Sequence, residues 1–267
     1  MDKFEQDLID VMDIFISADE DVNTFYHYTT IDALVNGIMR DNAQKGKEVC
    51  FRATHSRFVN DSEEIIKGVG IIASVLERND SSKAFDEYYT DFLRIYDDLF
   101  LISFSEKRDS LPMWNTYANR STGITIGIER LKSMSKDDVV VKCTYGLKNF
   151  TSLLKIYTDP TDSKVAKIGS RLLLHFLPQM IKNEDFAYEN EIRLIGKFND
   201  SPIKFREKNG YIIPYKEVFF AKEQIKSITL GPCQNMKDAE YSLRQFLDSR
   251  GFEHVKIEKS KIPYRNL

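Results

Sequence analysis

The chain has 267 residues, which is enough for one large or two small domains with a sizeable core. Hydrophobic residues make up 42% of it and aromatic residues 12%, and this composition excludes a disordered or low-complexity chain. The 38 Lys and Arg residues oppose 41 Asp and Glu residues, so the net charge is −3 and there is no strong global attraction for nucleic acid or anionic membranes.

The cysteines and the most apolar windows indicate the compartment. Cys50, Cys143 and Cys233 are far apart and lack metal-ligand spacing, which predicts reduced thiols in a cytoplasmic protein. The acidic start of the chain does not resemble a secretory signal. The apolar windows at 68–76 and 172–181 are shorter than the ~20 residues that a bilayer span needs, so we expect no membrane segment.

In the first part of the chain, helical spacing of apolar residues predicts an N-terminal helix within residues 1–20. An aromatic and β-branched run predicts a strand at 25–29, and Thr30 is typical of the cap of a following helix. Four further elements are predicted before residue 105. They are a strand at 49–53, helices at 60–78 and 82–98, and an apolar, central strand at 99–104.

Ser110 and Pro112 then predict the start of a short helix that carries Trp114 and Tyr117. Strict alternation at 123–129 predicts a half-buried strand. Helices at about 148–158 and 162–183 form a predicted helical insertion, residues 148–185.

The remaining pattern is dominated by strands. Asn209-Gly210 predicts a hairpin turn between two of them. The predicted elements are strands at 139–145, 191–195, 203–206, 211–214, 225–230 and 254–259, and a helix at 236–250 that Gly251 ends. Strands from both ends of the chain are expected to share one sheet, which favours a single α+β domain over residues 1–267.

Among the four histidines, His27 has the most suggestive position. It lies at the end of an aromatic strand before a helix N-terminus, where a ligand would meet an imidazole and free backbone amides. A histidine satisfied by a backbone carbonyl is the open alternative. No phosphate loop, dinucleotide fingerprint, nucleophile elbow or metal-ligand spacing is present, so we expect no metal.

Glu189 and Glu191 are two residues apart, so on an extended strand both carboxylates would point to the same face, with Arg193 next in the row. One could orient a hydroxyl while the other stabilises a developing cation. The alternative is a solvated strand face with a surface ion pair worth at most ~1 kcal/mol. Ser103 and Ser105 share the one-face spacing.

Trp114 and Tyr117 present two aromatic rings on one helix face, which suits stacking on a nicotinamide or a base. Core packing of the tryptophan is the alternative. Arg52 and Arg57 flank His55 and could meet a phosphate, or they could be solvated. Asn60 is first a helix cap, with any functional role secondary.

Several motifs occur in the order found in the bacterial domain-of-unknown-function 2971 family, which the chain resembles over about residues 25–265. These motifs are FYHYTT at 25–30, FVNDSE at 58–63, SFSE at 103–106, MWNTYA at 113–118, YENEIRL at 188–194 and SKIPYR at 260–265. Ser62 stands where many members carry Pro, which affects the helix entry and removes no reactive group.

That family is in turn similar to the ADP-ribosyltransferase superfamily (its His-Tyr-Glu class), whose split β-sheet binds NAD as a substrate. The resemblance implies that His27 holds the adenosine-side ribose or diphosphate, that Glu191 is the catalytic acid and that Glu189 is its companion. Tyr117 would belong to the catalytic side and line the nicotinamide. The NAD-binding residues implied are His27, Tyr28, Thr29, Arg52, Asn60, Ser103, Ser105 and Trp114.

The sequence therefore predicts an NAD-dependent ADP-ribosyltransferase-like enzyme, such as a phage-defence effector or toxin that modifies a nucleic-acid or protein acceptor. An antitoxin or another defence-system protein is a possible partner. Hydrolysis of NAD with water as the acceptor is a second enzymatic hypothesis. A nucleotide-binding or sensor module without turnover, and a structural interaction protein without a ligand, are the non-enzymatic alternatives.

Overall fold

The structure is a computed structural model that describes residues 24–41, 48–59, 98–129, 138–145, 177–232 and 235–263. The N-terminal helix predicted within residues 1–20 lies outside the described residues. So do the two helices predicted between 60 and 98, apart from residue 98, together with Asn60 and residues 148–176 of the predicted helical insertion.

Twelve strands account for most of the described chain. They are β1 Thr24–Thr29, β2 Glu48–His55, β3 Phe100–Ser105, β4 Ile124–Glu129, β5 Val139–Lys142, β6 Thr144–Tyr145, β7 Ile181–Lys182, β8 Glu191–Gly196, β9 Lys204–Lys208, β10 Tyr211–Ala221, β11 Ile225–Leu230 and β12 Lys256–Lys259. The predicted strand at 139–145 is divided at Cys143, and the other predicted strands are confirmed within a few residues, except that β10 continues well beyond Pro214.

Ten of these strands form one sheet with the order β12-β11-β4-β1-β3-β2-β10-β9, in which β8 also pairs with β3 and β5 pairs with β8. Its pairings are antiparallel except for the parallel pair β11–β12. β6 and β7 form a separate parallel pair. The described chain is therefore a mixed α/β fold with a large, mostly antiparallel sheet that contains strands from both ends of the sequence.

The described helices are few and short. Thr30 accepts a hydrogen bond from the Ala33 amide through its side chain, as predicted for the cap of the first helix, α1 Ile31–Ala33, which continues as a π-helix at Leu34–Ile38. The second, α2, spans Leu111–Tyr117, and the third, α3, spans Met236–Ser249. 3-10 helices occupy Ser56–Phe58, Leu177–Gln179, Glu184–Glu189 and Lys222–Gln224.

Strand β4 differs from the prediction because both of its faces are buried. Its isoleucines face the main core, which also contains Leu247 of α3. On the opposite face, Thr125 is fully buried and donates a hydrogen bond to the carbonyl of Arg108, 3.5 Å away. The alternation of Ile with Thr and Gly reflects tight packing on the second face, and its interpretation as a half-buried strand was wrong.

The hairpin predicted at Asn209-Gly210 is confirmed. Both residues have positive φ angles, 53° and 80°, as a two-residue turn of this kind requires. The turn pairs β9 with β10, and β10 then continues along β2 on its other edge. The hairpin therefore extends the sheet beside β2, where it forms a wall of the cavity described below.

One edge of β3 is divided between two strands, and this division creates an opening in the sheet. On its first edge β3 pairs with β8 along its whole length. On its second edge it pairs with β1 at Ser105 and with β2 at Phe100 and Leu101. Among the described strands, none pairs with this edge at Ile102, Ser103 and Phe104, so β1 and β2 diverge here.

Residues 177–189 do not form the helix that was predicted to reach residue 183. They form two 3-10 turns separated by the short strand β7, and Asn190 adopts a left-handed conformation with φ 43° and ψ 54°. Glu189 ends the second turn and Glu191 begins β8. The premise that both carboxylates stand on one extended strand was therefore wrong.

Candidate functional site

A cavity with a volume of about 230 Å³ lies where β1 and β2 diverge from β3. Residues of all three strands line it, and residues of α1, α2, β7, β8 and β9 complete its walls. Among the residues that the sequence predicted for the site, eight line this cavity. They are His27, Tyr28, Thr29, Arg52, Ser103, Tyr117, Glu189 and Glu191.

His27 fills the opening between β1 and β2. Its Nδ1–H donates to the Ser103 carbonyl at 2.9 Å, so the imidazole takes the place of the strand partner that this carbonyl lacks. The rings of Phe51 and Phe104 contact it edge-on, with centroid distances of 5.1 and 5.8 Å. With the proton on Nδ1, Nε2 of the neutral ring is a hydrogen-bond acceptor.

Burial lowers the pKa of His27, the hydrogen bond to Ser103 raises it in part, and the charge of Arg206 lowers it further. The imidazole is therefore neutral at pH 7. His27 satisfies a backbone carbonyl, as one of the two interpretations predicted, and it also lines the cavity.

The two carboxylates meet at a shared lysine. Lys182 of β7 donates to Oε2 of Glu189 and to Oε2 of Glu191, the latter at 2.8 Å. The Tyr117 hydroxyl of α2 donates to Oε1 of Glu189 at 2.6 Å. Fewer than 5% of Glu189 and of Glu191 is exposed, so this is a buried cluster and the solvated strand face is excluded.

Arg193 completes the cluster from β8, two residues beyond Glu191 on the same face. Its Nε and Nη2 donate to the two oxygens of Glu191 at 3.0 and 2.9 Å, and its Nη1 donates to the Gln179 carbonyl at 2.6 Å. The Cys143 thiol also lies 3.6 Å from Oε2 of Glu191. Burial alone would raise the pKa of Glu191, but the charges of Arg193 and Lys182 outweigh it and lower the pKa to about 2.

Backbone and hydroxyl contacts fix the two glutamates in place. Ser105 is fully buried, donates through Oγ to the Glu189 carbonyl at 2.5 Å and accepts from the Lys107 amide at 3.0 Å. The Glu191 amide donates to the Tyr145 hydroxyl at 2.8 Å. Ser105 therefore positions Glu189 through its backbone and is not among the residues that line the cavity. Ser103, in contrast, lines the cavity and is exposed.

Trp114 is likewise absent from the cavity wall. Its side chain is fully buried against Tyr28, with ring centroids 4.9 Å apart, and its indole N–H donates to Asp109 at 2.7 Å. The buried indole has its one donor satisfied, which is the core arrangement expected of a tryptophan. The placement of Trp114 on the nicotinamide side is not supported by this geometry, whereas Tyr117, three residues along, does face the cavity.

Four charged cavity residues were not assigned to the site from sequence: Lys182, Arg193, Arg206 and Lys208. Arg193 was seen only as the next residue on the face of Glu191. Lys182 gave no signal, because its approach depends on the irregular path of residues 177–190. Arg206 and Lys208 are two residues apart on β9, so their side chains point to the same face of the sheet. The hairpin turn that follows them was the one sequence signal that places β9 beside β10.

Other kinds of site find no support in the described residues. No group of three or more His, Cys, Asp or Glu side chains there has an arrangement that would hold a metal ion. No described helix combines the length and the apolar character needed to cross a membrane.

Comparison with known proteins gives one partial match. No curated protein and no solved structure matches the chain. A family model described as "Protein of unknown function (DUF2971)" matches residues 113–194, a segment that holds Tyr117, Lys182, Glu189, Glu191 and Arg193. The half of the cavity that carries the carboxylates is therefore built largely from the segment in which this chain is similar to that family.

Proposed function

We propose that the chain is an NAD-dependent ADP-ribosyltransferase-like enzyme that transfers ADP-ribose to a nucleic-acid or protein acceptor. One observation carries the proposal. His27 at the start of the described chain and the glutamate pair near residue 190 line a single cavity, at the opening between β1 and β2. An antiviral or toxin role follows from the family resemblance.

The reaction requires little from the protein beyond positioning and charge. The bond between C1′ of the ribose and the nicotinamide nitrogen breaks, and the electron pair leaves with the nicotinamide. A cation resembling an oxocarbenium ion develops on the ribose, and a carboxylate nearby stabilises it. The acceptor then attacks C1′ and gives up its proton. No metal ion takes part in this scheme.

The cavity residues fit these roles. Glu191 supplies the fixed negative charge, because its carboxylate is ionised well below neutral pH. Glu189, which accepts from the Tyr117 hydroxyl, is the companion group that orients the substrate or takes the acceptor proton. Nε2 of His27 accepts a hydrogen bond from a ribose hydroxyl, and Ser103 is exposed beside it.

A nucleotide-binding module without turnover is the second candidate, and the ion cluster favours it. Lys182 and Arg193 bring two positive charges against the two carboxylates. The cluster is therefore close to neutral as it stands, and a neutral cluster stabilises a cation much less than a lone carboxylate does. This candidate predicts NAD binding without release of nicotinamide.

The test is to incubate the purified chain with NAD labelled in the adenosine part, with and without nucleic acid or cell lysate, and to measure nicotinamide release and label transfer. NAD binding is measured separately by calorimetry. Transfer to an acceptor supports the proposal. Free ADP-ribose that accumulates without an acceptor indicates NAD hydrolysis. Binding without nicotinamide release supports the second candidate, and neither binding nor release indicates a structural protein.

Matched variants connect any activity to the cluster. Glu189→Gln and Glu191→Gln are each expected to lower turnover by ~10²-fold or more, as the loss of an electrostatic catalytic group does. Glu240→Gln is the control, because Glu240 is a half-exposed glutamate on α3 that pairs with Lys259 away from the cavity. Wild-type turnover in both cluster variants would contradict the assignment, and loss in only Glu189→Gln would reverse the two roles.

A further inference from the structure

Three cations line the part of the cavity formed by β2 and β9, and we call Arg52, Arg206 and Lys208 the basic wall. β10 lies between the two strands and pairs with both. The guanidinium carbons of Arg52 and Arg206 lie 5.2 and 5.9 Å from the ring centre of Tyr215. Both guanidinium groups therefore approach the same ring, and the charge of Arg52 acts on Arg206.

The carboxylate opposite Arg52 on the neighbouring strand does not neutralise this wall. Glu217 is opposite Arg52 in the β10–β2 register, but Arg40 holds both of its oxygens at 2.7 and 2.9 Å, and Lys204 adds a third contact at 2.8 Å. These contacts lower the pKa of Glu217 to about 2. Its charge is therefore already matched, and the basic wall keeps an excess of positive charge.

Donor groups in the wall are also unsatisfied. The Nε atoms of Arg52 and Arg206 are buried and have no hydrogen-bond partner among the described residues. Arg206 donates from Nη2 to the hydroxyl of Thr54 at 2.9 Å. Burial and the nearby charge of Arg52 lower the pKa of Arg206, and burial and Arg206 do the same for Lys208. Several positive charges close together, with N–H donors that lack an acceptor, form an arrangement that a bound anion would stabilise.

The geometry points to a diphosphate subsite: we infer that Arg52, Arg206 and Lys208 hold the diphosphate of a dinucleotide. The inference rests on the proposed function and adds to it the part of the protein that selects the substrate. A planar guanidinium group can donate two parallel hydrogen bonds to phosphate oxygens, so arginine binds a diphosphate with better geometry than the ammonium of lysine does.

The location of the wall agrees with such a ligand. β2 and β8 lie on opposite edges of β3, so the basic wall and the Glu189–Glu191 pair stand on opposite sides of that strand. His27 occupies the opening between β1 and β2. A dinucleotide lying across β3 would place its diphosphate at the arginines and the ribose whose bond to nicotinamide breaks at the carboxylates. The negative charges of the diphosphate and of the two carboxylates would then be kept apart.

Calorimetric titration of the full chain tests this directly, with inorganic pyrophosphate, ADP-ribose and uncharged adenosine as the probes. Arg206→Met removes the charge and keeps an aliphatic stem against Tyr215, so it is expected to weaken pyrophosphate and ADP-ribose binding about 10- to 100-fold. Arg206→Lys should lose less affinity than Arg206→Met, because the ammonium keeps the charge but not the paired donors. Lys226→Met is the control, because Lys226 on β11 is half-exposed and outside the cavity wall.

Two results would overturn the inference: wild-type affinity for both phosphate probes in Arg206→Met, or an equal loss in Lys226→Met. A matching loss of adenosine binding and a lower melting temperature in Arg206→Met would also count against it, since that pattern indicates a damaged fold. Its failure is separate from that of the proposed function. If the phosphate probes bind through the basic wall but the wild type releases no nicotinamide from NAD, the subsite alone is supported. If nicotinamide is released and Arg206→Met leaves the KM for NAD unchanged, the proposed function alone is supported.

Discussion

Replacing Glu191 by Gln removes one charge from the buried cluster and leaves the size of the side chain nearly unchanged. Arg193 and Lys182 both donate to the Glu191 carboxylate inside the protein, so the substitution is expected to weaken the fold. An amide offers one acceptor oxygen and no charge, so Arg193 loses its partner carboxylate, and Lys182 keeps Glu189 but loses Glu191.

The magnitude follows from the pKa of the carboxylate. The pKa of Glu191 falls from its usual 4.5 to about 2, and each pKa unit corresponds to about 1.4 kcal/mol, so the ionised form contributes about 3 kcal/mol to the free energy of unfolding. Breaking a buried pair by removing one partner costs about 3–5 kcal/mol, which agrees. We therefore expect Glu191→Gln to lower the free energy of unfolding by about 3 kcal/mol at pH 7.

The assay is urea unfolding followed by circular dichroism, at pH 7 and at several lower pH values. Because the folded pKa is lowered, the contribution of Glu191 is complete above pH 4.5 and declines as the pH falls towards 2. The variant should lack this part of the pH dependence. Glu240→Gln, whose pair with Lys259 is on the surface, should cost less than about 1 kcal/mol.

Glu189→Gln provides an internal comparison within the cluster. Glu189 shares Lys182 with Glu191, whereas Arg193 donates to Glu191 through two of its nitrogens. The amide that replaces the Glu189 carboxylate still accepts a hydrogen bond from Tyr117. Glu189→Gln should therefore lower the free energy of unfolding less than Glu191→Gln does. A cost below about 1 kcal/mol for Glu191→Gln, or a larger cost for Glu189→Gln, would refute the ion-cluster reasoning.

Three further predictions concern the surroundings of the site. His27→Ala should weaken NAD affinity in calorimetry. It should also reduce the loss of stability that the wild type shows as the pH falls below about 6.5, because burial keeps the pKa of His27 lower in the folded state than in the unfolded state. An unchanged dependence of stability on pH would contradict this. Trp114→Ala should cost about 3–5 kcal/mol in urea unfolding, and NAD should leave the emission of the buried wild-type Trp114 unchanged, whereas saturable quenching would return it to the site. Gly123→Ala should lower the melting temperature strongly, because the added Cβ would lie 2.3 Å from the Thr29 carbonyl; a melting temperature equal to wild type would show that β1 can move away.

Much of the fold was predictable because its strands carry local signals. The aromatic run of β1, the apolar run of β3 and the Asn209-Gly210 turn each specify a strand or a turn within a few residues. The pairing of β3 was not predictable, because no local pattern records that its second edge is shared by β1 and β2. That division depends on contacts between residues far apart in the sequence.

The site was predictable by residue type and less so by arrangement. Alternation correctly brought Glu191 and Arg193 to one face, but it failed for Glu189, which the left-handed Asn190 separates from the strand. The two glutamates nevertheless converge, since Lys182 binds both. Trp114 was misplaced because a helix face with two aromatic rings does not reveal which ring is buried, and here Asp109 captures the indole N–H.

The distribution of charge around the cavity explains how binding and catalysis would be divided. The acidic cluster is nearly neutral because Lys182 and Arg193 match its two carboxylates, so the uncompensated field in the cavity comes from Arg52 and Arg206. An anionic ligand is therefore attracted to the basic wall first, and the cluster contributes little to its capture. In the proposed enzyme, turnover would require the cluster to present negative charge, and displacement of Lys182 from the two carboxylates would provide it.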